Sequence, residues 1–319
     1  MDILRHRGEV PSRLRGGIIA IGNFDGVHRG HGSILAAARR RARAEARPFG
    51  ILTFEPHPRS VFRPDLVPFR LTPLRIKLEL LATFAADFVL VQAFDRLYAA
   101  TSAESFAAET LGKALAASHV VIGRDYAFGR DREGDSQTLA RLGETWGFAV
   151  TELPPVSAPD GSVYSSTAAR EALRAGDCAR AAAILGRPWA VEGRVEHGQR
   201  RGRTIGFPTA NVRLGDTLHP RPGVYAVRAR TGDGPSLPGI ANFGKRPTFD
   251  GTGTVLEVHL FDTAENLYDR HLHVEFEAFL RDERKFDGIE ALRRQIESDA
   301  QTARRRLSRP AASDGSVQR

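Results

Sequence analysis

The stretch Ile18-Ile-Ala-Ile-Gly-Asn-Phe-Asp-Gly-Val-His-Arg-Gly-His31 decides how the first half of the chain folds. Its four leading apolar residues, Ile18 to Ile21, have the pattern of a parallel strand buried on both faces. A glycine-punctuated turn follows over residues 22–30, and a helix is expected from Ser33 onward. His28 and His31 therefore stand where a strand hands over to a helix N-terminus. Free backbone N–H groups and the positive end of the helix dipole suit that place to anions. Two imidazoles three residues apart there can both reach one phosphate. A βα turn with incidental histidines has the same pattern.

Outward from this unit, strands and helices alternate. Residues 48–54 read as a second buried strand running into Glu55-Pro-His-Pro-Arg59, where two prolines are expected to forbid helix and stiffen a loop. Thr72-Pro-Leu-Arg-Ile-Lys77 opens a helix, with Thr72 a candidate N-cap and Pro73 in the first turn. Further strands are expected at 87–92, 119–123 and 148–153, with helices opening at Ser102 and spanning 134–146. This alternation predicts a parallel sheet with helices on both faces, whose ligands bind outside the carboxyl ends of the strands. The loops 22–31, 55–59 and 123–130 each follow a strand, so they should converge on one crevice. Tyr164-Ser-Ser-Thr-Ala-Ala-Arg170 puts hydroxyls at a helix start and Arg170 one turn in. That is either a second phosphate corner or a plain helix capped by Ser166 or Thr167.

Around Leu185-Gly-Arg-Pro-Trp189 the pattern changes. Strands separated by Gly/Pro turns are expected at 189–195, 223–230, 239–243, 254–261 and 272–279, followed by a helix over 288–307. Strands at this spacing predict a small antiparallel barrel. Within it, His197-Gly-Gln-Arg-Arg-Gly-Arg-Thr-Ile-Gly-Phe-Pro-Thr-Ala-Asn211 joins an arginine- and glycine-rich loop to an extended segment. Thr209 and Asn211 are two apart, so they face one side. Their hydroxyl and amide oxygens can ligate Mg²⁺, which keeps most of its waters and takes phosphate oxygens. A barrel strand entered through a turn, with Arg200, Arg201 and Arg203 merely solvated, fits as well.

A length of 319 residues accommodates two domains, expected at 1–184 and 185–307, with 308–319 a disordered polar tail. The composition, 41% apolar and 26% charged, is that of a soluble globular protein. The first residues have no apolar signal region and no stretch nears the ~20 apolar residues that span a bilayer, so no membrane is expected and the cytoplasm is the default. The single cysteine, Cys178, excludes an internal disulfide and a cysteine-rich metal site. The net charge is +8, but of 46 basic residues only Lys77, Lys113, Lys245 and Lys285 are lysine. The arginine clusters at 39–47 and 304–309 lack interleaved aromatics, so no nucleic-acid partner is expected. A positive field of this kind suits anionic nucleotides. Assembly into a homo-oligomer is left open.

Longer motifs sharpen this. The stretch from Gly22 to His31 resembles the HxGH signature of nucleotidyltransferases. Together with Thr53-Phe-Glu-Pro-His-Pro58, Gly123-Arg-Asp-Tyr-Ala-Phe-Gly129 and Ser165-Ser-Thr-Ala-Ala-Arg170, it resembles the N-terminal module of bacterial bifunctional riboflavin kinase/FAD synthetases, an FMN adenylyltransferase. Gly206-Phe-Pro-Thr-Ala-Asn211, Asn242-Phe-Gly-Lys-Arg-Pro-Thr248, Leu256-Glu-Val-His259, Asn266-Leu-Tyr268 and Arg281-Asp-Glu-Arg-Lys-Phe286 resemble the riboflavin kinase module of that family, in order. The resemblance implies a Rossmann-like α/β nucleotidyltransferase domain followed by a small antiparallel β-barrel with a terminal helix. Its substrates and products would be ATP, riboflavin, FMN and FAD, with Mg²⁺ as cofactor.

By the same resemblance, His28 and His31 hold ATP phosphates in the first module. Gly22, Asn23, Phe24, Asp25 and Gly26 line that site, and Ser166, Thr167 and Arg170 close over it. Phe54, Pro56, His57, Pro58, Asp125 and Phe128 meet FMN. In the second module Gly198, Gly202, Arg203, Thr209 and Asn211 carry Mg-ATP, with Thr209 and Asn211 on the metal. Glu257 takes the proton from the ribityl 5′-hydroxyl, and Arg281, Glu283 and Phe286 border the flavin. The chemistry agrees: an alcohol needs a base, whereas the phosphate of FMN is an already ionised nucleophile. The family often has arginine where this chain has Ala127 and Val163, which leaves a kinase with a weak or lapsed adenylyltransferase site as an alternative. A flavin- or nucleotide-responsive RNA-binding regulator without turnover is another.

Overall fold

The computed structural model describes residues 1–63, 67–196, 206–248, 251–263 and 266–308. The chain divides into two compact units, Met1–Ser166 and Thr167–Arg319. Gly198, Gly202 and Arg203, and the tail from residue 309, lie outside the described residues.

The first unit runs β1 (Asp2–Leu4), β2 (Ile18–Ile21), α1 (Arg29–Ala44), β3 (Phe49–Glu55), α2 (Pro58–Phe62), α3 (Leu74–Ala82), β4 (Phe88–Ala93), α4 (Arg96–Ala99) and α5 (Ala103–Phe106). The last of these continues as a π-helical stretch, Ala107–Ala114. β5 (His119–Gly123), α6 (Ser136–Trp146) and β6 (Ala149–Leu153) follow. The strands lie in the order β1-β4-β3-β2-β5-β6 and every pair is parallel. Residue alternation divides the core between the two faces. Ile19, Ile21, Leu52, Leu90, Val120 and Ile122 meet Phe106, Leu111 and Leu139 on one side. Ile18, Ala20, Ile51, Val89 and Val121 meet Leu35, Ala38 and Leu81 on the other. Strand order reverses between β2 and β5, so the carboxyl ends of β3, β2 and β5 form the rim at which a doubly wound sheet takes ligands. The three loops picked out in the sequence leave from that rim.

Several local expectations are corrected. α1 begins at Arg29 rather than Ser33, because His28 itself is the N-cap: its Nδ1 accepts the His31 N–H at 3.3 Å. Thr72 does not cap α3; its hydroxyl accepts the Gly26 N–H at 3.0 Å and Pro73 takes the cap position. The segment at Pro58 is helical, not loop, since proline at the first position of a helix forfeits only an N–H that has no intrahelical partner. α6 starts two residues later than expected, after its N-cap Asp135 accepts the Thr138 N–H at 2.8 Å. β1 is an edge strand with no apolar run to announce it.

The second unit contains α7 (Ser166–Ala175), whose first residue ends the first unit, then α8 (Cys178–Leu185). The strands β7 (Trp189–Glu196), β8 (Ala210–Val212), β9 (Gly223–Thr231), β10 (Leu237–Thr248), β11 (Gly251–Leu260) and β12 (His271–Arg281) follow, then α9 (Ile289–Leu307). They close a barrel in the order β10-β11-β8-β7-β12-β9, with every described pair antiparallel. Val191, Val212, Tyr225, Val227, Phe243, Leu256, Val258, Val274 and Phe276 are buried in its alternating positions. On the opposite face of β9 and β10, Val224, Ala226 and Ile240 pack against Ala303 and Leu307 of α9. Cys178 opens α8 buried, and burial pushes its thiol up to about 12, so it stays protonated.

Candidate active sites

The turn after β2 is bent by three residues in the left-handed region, Phe24 (φ +48°), Gly26 (+86°) and Val27 (+40°). For phenylalanine and a β-branched valine this is costly backbone, of the kind found where a loop is over-determined by its surroundings. The surroundings are visible. The Phe24 ring is fully buried, and a Cβ at Gly22 would sit 3.1 Å from it. Asp25, 2% exposed, accepts the Leu71 N–H at 2.9 Å and the Thr72 N–H at 3.0 Å. The Asn23 carbonyl accepts from Thr53 at 3.2 Å, and the Asp25 carbonyl from the Ser166 hydroxyl at 2.8 Å. The turn delivers His28 and His31 to the start of α1 with their rings stacked, centroids 3.6 Å apart. Gly30 permits this: a Cβ there would lie 3.0 Å from His28 Cε1 and 3.1 Å from the Tyr164 carbonyl. Two imidazoles on a helix N-terminus offer N–H donors to an anion.

At the end of β3, Phe54 is buried and packs edge-on against Phe94 at 6.0 Å. Pro56 follows, and His57 caps α2, its Nδ1 accepting the Arg59 N–H at 3.1 Å. Phe128 is buried against Phe106, while Asp125 in the same loop is exposed. Around Phe54 and Phe128 the fold adds further aromatics, of which only Tyr126 stands within a sequence motif. Phe62 and Tyr98 both pack on Phe94, and Tyr126 stacks on Phe128 at 5.6 Å. Phe62 is 61% exposed, so this apolar wall reaches the surface beside the carboxyl ends of β3 and β4. Burial pushes the Tyr98 phenol up to about 12 and raises Tyr126 as well, so both keep their protons. These side chains come from three separate connections, those after β3, β4 and β5, and are brought together by the fold. Thr167 and Arg170 lie on α7, where Arg170 is buried one turn from the helix start.

In the barrel, strand register assembles the second site. Asn211 on β8 is the direct partner of Glu257 on β11, whose other partner is Asn242 on β10. Directly opposed residues share a face, with Cβ atoms about 5 Å apart. Since Leu256, Val258, Ala241 and Phe243 face inward, Asn211, Glu257 and Asn242 form a row on the outer face, all partly exposed. Thr209, half-buried, stands two residues before Asn211. His259 fixes that approach: its Nδ1 lies 2.8 Å from the Pro208 carbonyl, and so donates, while its ring meets Phe207 edge-on at 5.3 Å. The row continues into the segment after β12, where Asn242 Nδ2 donates to Glu283 at 3.1 Å. A Cβ at Gly244 would run into that carboxylate. Arg281 pairs with buried Asp299 of α9 at 2.8 Å, and Phe286 lies under Arg281 and Arg284. A carboxylate flanked by amide and hydroxyl oxygens can take a proton from an alcohol and present oxygen ligands to a hard cation.

A family model described as FAD synthetase matches residues 10–168, and one described as riboflavin kinase matches 185–307. The chain is 44% identical over 290 residues to the bifunctional riboflavin kinase/FMN adenylyltransferase of Escherichia coli K12, covering 91% of this chain and 92% of that protein. The protein of the same description from Haemophilus influenzae is 41% identical and covered over 98% of its length. A solved structure from Streptococcus pneumoniae, described as a macrolide-efflux protein, superposes with a TM-score of 0.84 at 30% identity, over 95% of this chain and 98% of that one. Among the described residues, no helix is long and apolar enough to cross a membrane.

Proposed function

The chain belongs to the family of bifunctional riboflavin kinase/FMN adenylyltransferases, and from that premise we propose which of its residues carry the two reactions. The C-terminal barrel phosphorylates riboflavin to FMN with ATP, and the N-terminal α/β unit adenylylates FMN to FAD. We place the domain boundary between residues 184 and 185, where the riboflavin kinase match begins, and assign the enzyme to the cytoplasm.

In the barrel, Glu257 accepts the proton of the ribityl 5′-hydroxyl as that oxygen attacks the γ-phosphorus and the bond to ADP breaks. Thr209 and Asn211 bind ATP. They also fit Mg²⁺, because the donor set is oxygen throughout and lies on one face beside Glu257. When bound, Mg²⁺ neutralises phosphate charge. Gly198, Gly202 and Arg203 complete the ATP site, and Arg281, Glu283 and Phe286 border the flavin.

In the α/β unit, an FMN phosphate oxygen attacks the α-phosphorus of ATP in line, and pyrophosphate leaves. No general base is needed, so the work is alignment and charge neutralisation. His28 and His31 donate to the departing phosphates from the start of α1. Backbone from Gly22 to Gly26 and the Ser166 hydroxyl shape the ATP site, and Thr167 and Arg170 are assigned to ATP by the family resemblance. The flavin lies against Phe54, Pro56, His57, Pro58, Asp125 and Phe128, extended by Phe62, Phe94, Tyr98 and Tyr126.

The observation that carries the two-site reading is the separation of the chemistry. Stacked histidines sit on a helix N-terminus in one unit, and a carboxylate paired with Asn211 sits on a barrel in the other. Riboflavin with Mg-ATP, products separated and timed, tests it. FMN should appear before FAD. Glu257→Ala should abolish FMN formation while FAD still forms from supplied FMN. His28→Ala combined with His31→Ala should do the reverse. Equal loss of both steps in either folded variant refutes the assignment.

A further inference from the structure

Three charged side chains meet next to the turn that carries the histidines, and a fourth, Asp25 of that turn, lies within electrostatic reach of Lys77. Glu55 closes β3, Asp25 lies in the turn after β2, Arg70 precedes α3, and Lys77 stands one turn into α3. Arg70 binds Glu55 in fork geometry, with nitrogen–oxygen distances of 2.8 and 2.9 Å, and Lys77 Nζ lies 3.4 Å from Glu55 Oε2. Lys77 is 1% exposed, among the most buried side chains of the chain. Burial lowers its pKa, against the pull of both Glu55 and Asp25. An ammonium is held inside a protein only where carboxylates pair with it. With it, the cluster carries two charges of each sign.

The connectivity gives this cluster a task. Asp25 is three residues from His28, and its carboxylate is bound to the backbone of Leu71 and Thr72. Glu55 directly precedes Pro56 and His57, and its carboxylate is bound to Arg70 and Lys77. The short segment 70–77 thus touches both loops, one assigned to ATP and the other to FMN. Arg70 alone can satisfy Glu55. The second positive charge is explained by the second carboxylate.

We infer that Lys77 is a positioning residue for adenylyl transfer: by balancing Asp25 and Glu55 together, it lets one buried cluster hold the ATP-facing turn and the FMN-facing loop in fixed register. The inference rests on the assignment of those two loops. Without the ammonium, two carboxylates face one guanidinium, and repulsion separates the loops or draws in a proton. In-line attack tolerates little of this, since a 1 Å misplacement costs about 100-fold.

The test is a charge-balance cycle in the full-length enzyme. Lys77→Met leaves the cluster net negative and isosteric Glu55→Gln leaves it net positive. The double variant is neutral again. Each single variant should raise KM for both ATP and FMN and lower kcat/KM for FAD formation about 100-fold for the methionine. The double variant should recover to within about tenfold of wild type. Riboflavin phosphorylation should not change in any of them. A purely structural role would lower Tm and leave both KM values as they were, and that result overturns the inference. So does a folded double variant no better than the worse single one. If Lys77→Met does not fold, Glu55→Gln decides: raised KM for both substrates supports the inference and unchanged KM overturns it. The site assignment fails separately, if His28→Ala leaves KM for ATP unchanged.

Discussion

Replacing Gly30 by alanine sets two opposed effects against each other at one atom. The added Cβ lies 3.0 Å from His28 Cε1, 3.1 Å from His28 Nδ1 and 3.1 Å from the Tyr164 carbonyl, where unstrained carbon contacts begin near ~3.5 Å. The His28 ring must retreat by about 0.5 Å, the shortfall from that contact distance. It has little freedom to do so, stacked at 3.6 Å on His31 and accepting the His31 N–H at 3.3 Å. Alanine, for its part, favours helix over glycine by up to about 1 kcal/mol, and Gly30 is the second residue of α1. Folding stability therefore changes little, by less than about 4 °C in Tm. Turnover responds differently. If 1 Å costs about 100-fold, half that displacement costs about tenfold, or ~1.4 kcal/mol on the barrier. Steady-state FAD formation from FMN and ATP, beside riboflavin phosphorylation in the same preparation, measures this. An unchanged rate of FAD formation would show that the stacked geometry is irrelevant to the reaction. An equal fall in both activities would show general damage.

Gly244→Ala should expel the Glu283 carboxylate from β10 and raise KM for riboflavin about tenfold, the loss of one charged hydrogen bond, while KM for FMN in FAD synthesis stays constant. Asp299→Ala removes the partner of Arg281, both side chains largely buried, and should destabilise the barrel by about 3 kcal/mol in urea unfolding. Burial, with Arg41 second, lowers the pKa of His119, whose Nε2 lies 2.7 Å from the Thr151 hydroxyl. The unfolded chain then takes up a proton that the folded one refuses as pH falls below the ordinary value of about 6.5. Stability should drop from pH 7 to pH 5, and His119→Gln should flatten that part of the Tm profile.

What the sequence discloses and what it withholds follow from the range of each interaction. Buried parallel strands such as β2 and β5 appear as continuous apolar runs, and barrel strands such as β11 as alternation, because burial acts residue by residue. The row of Asn211, Glu257 and Asn242 is half legible: each motif marks its residue, but only register puts them side by side. The start of α1 is hidden because histidine is an unusual N-cap. Thr72 has the chemistry of a cap, but its hydroxyl is diverted to the Gly26 N–H and the Asp25 carboxylate, distant in sequence. Tyr126 stands inside a motif, but the gathering of Phe62, Phe94 and Tyr98 into one wall, and the pairing of Glu55 with Arg70 and Lys77, are purely tertiary and leave no local pattern.

The alternation along β11 has a consequence for errors in folding. Leu256 and Val258 face the barrel interior and Glu257 lies between them, facing out. A slip of one residue in pairing would turn the carboxylate into the interior and the leucine into water. On the role proposed for Glu257, one strand register therefore decides both whether the barrel closes and whether it turns over, so the defect that misfolds a molecule also silences it.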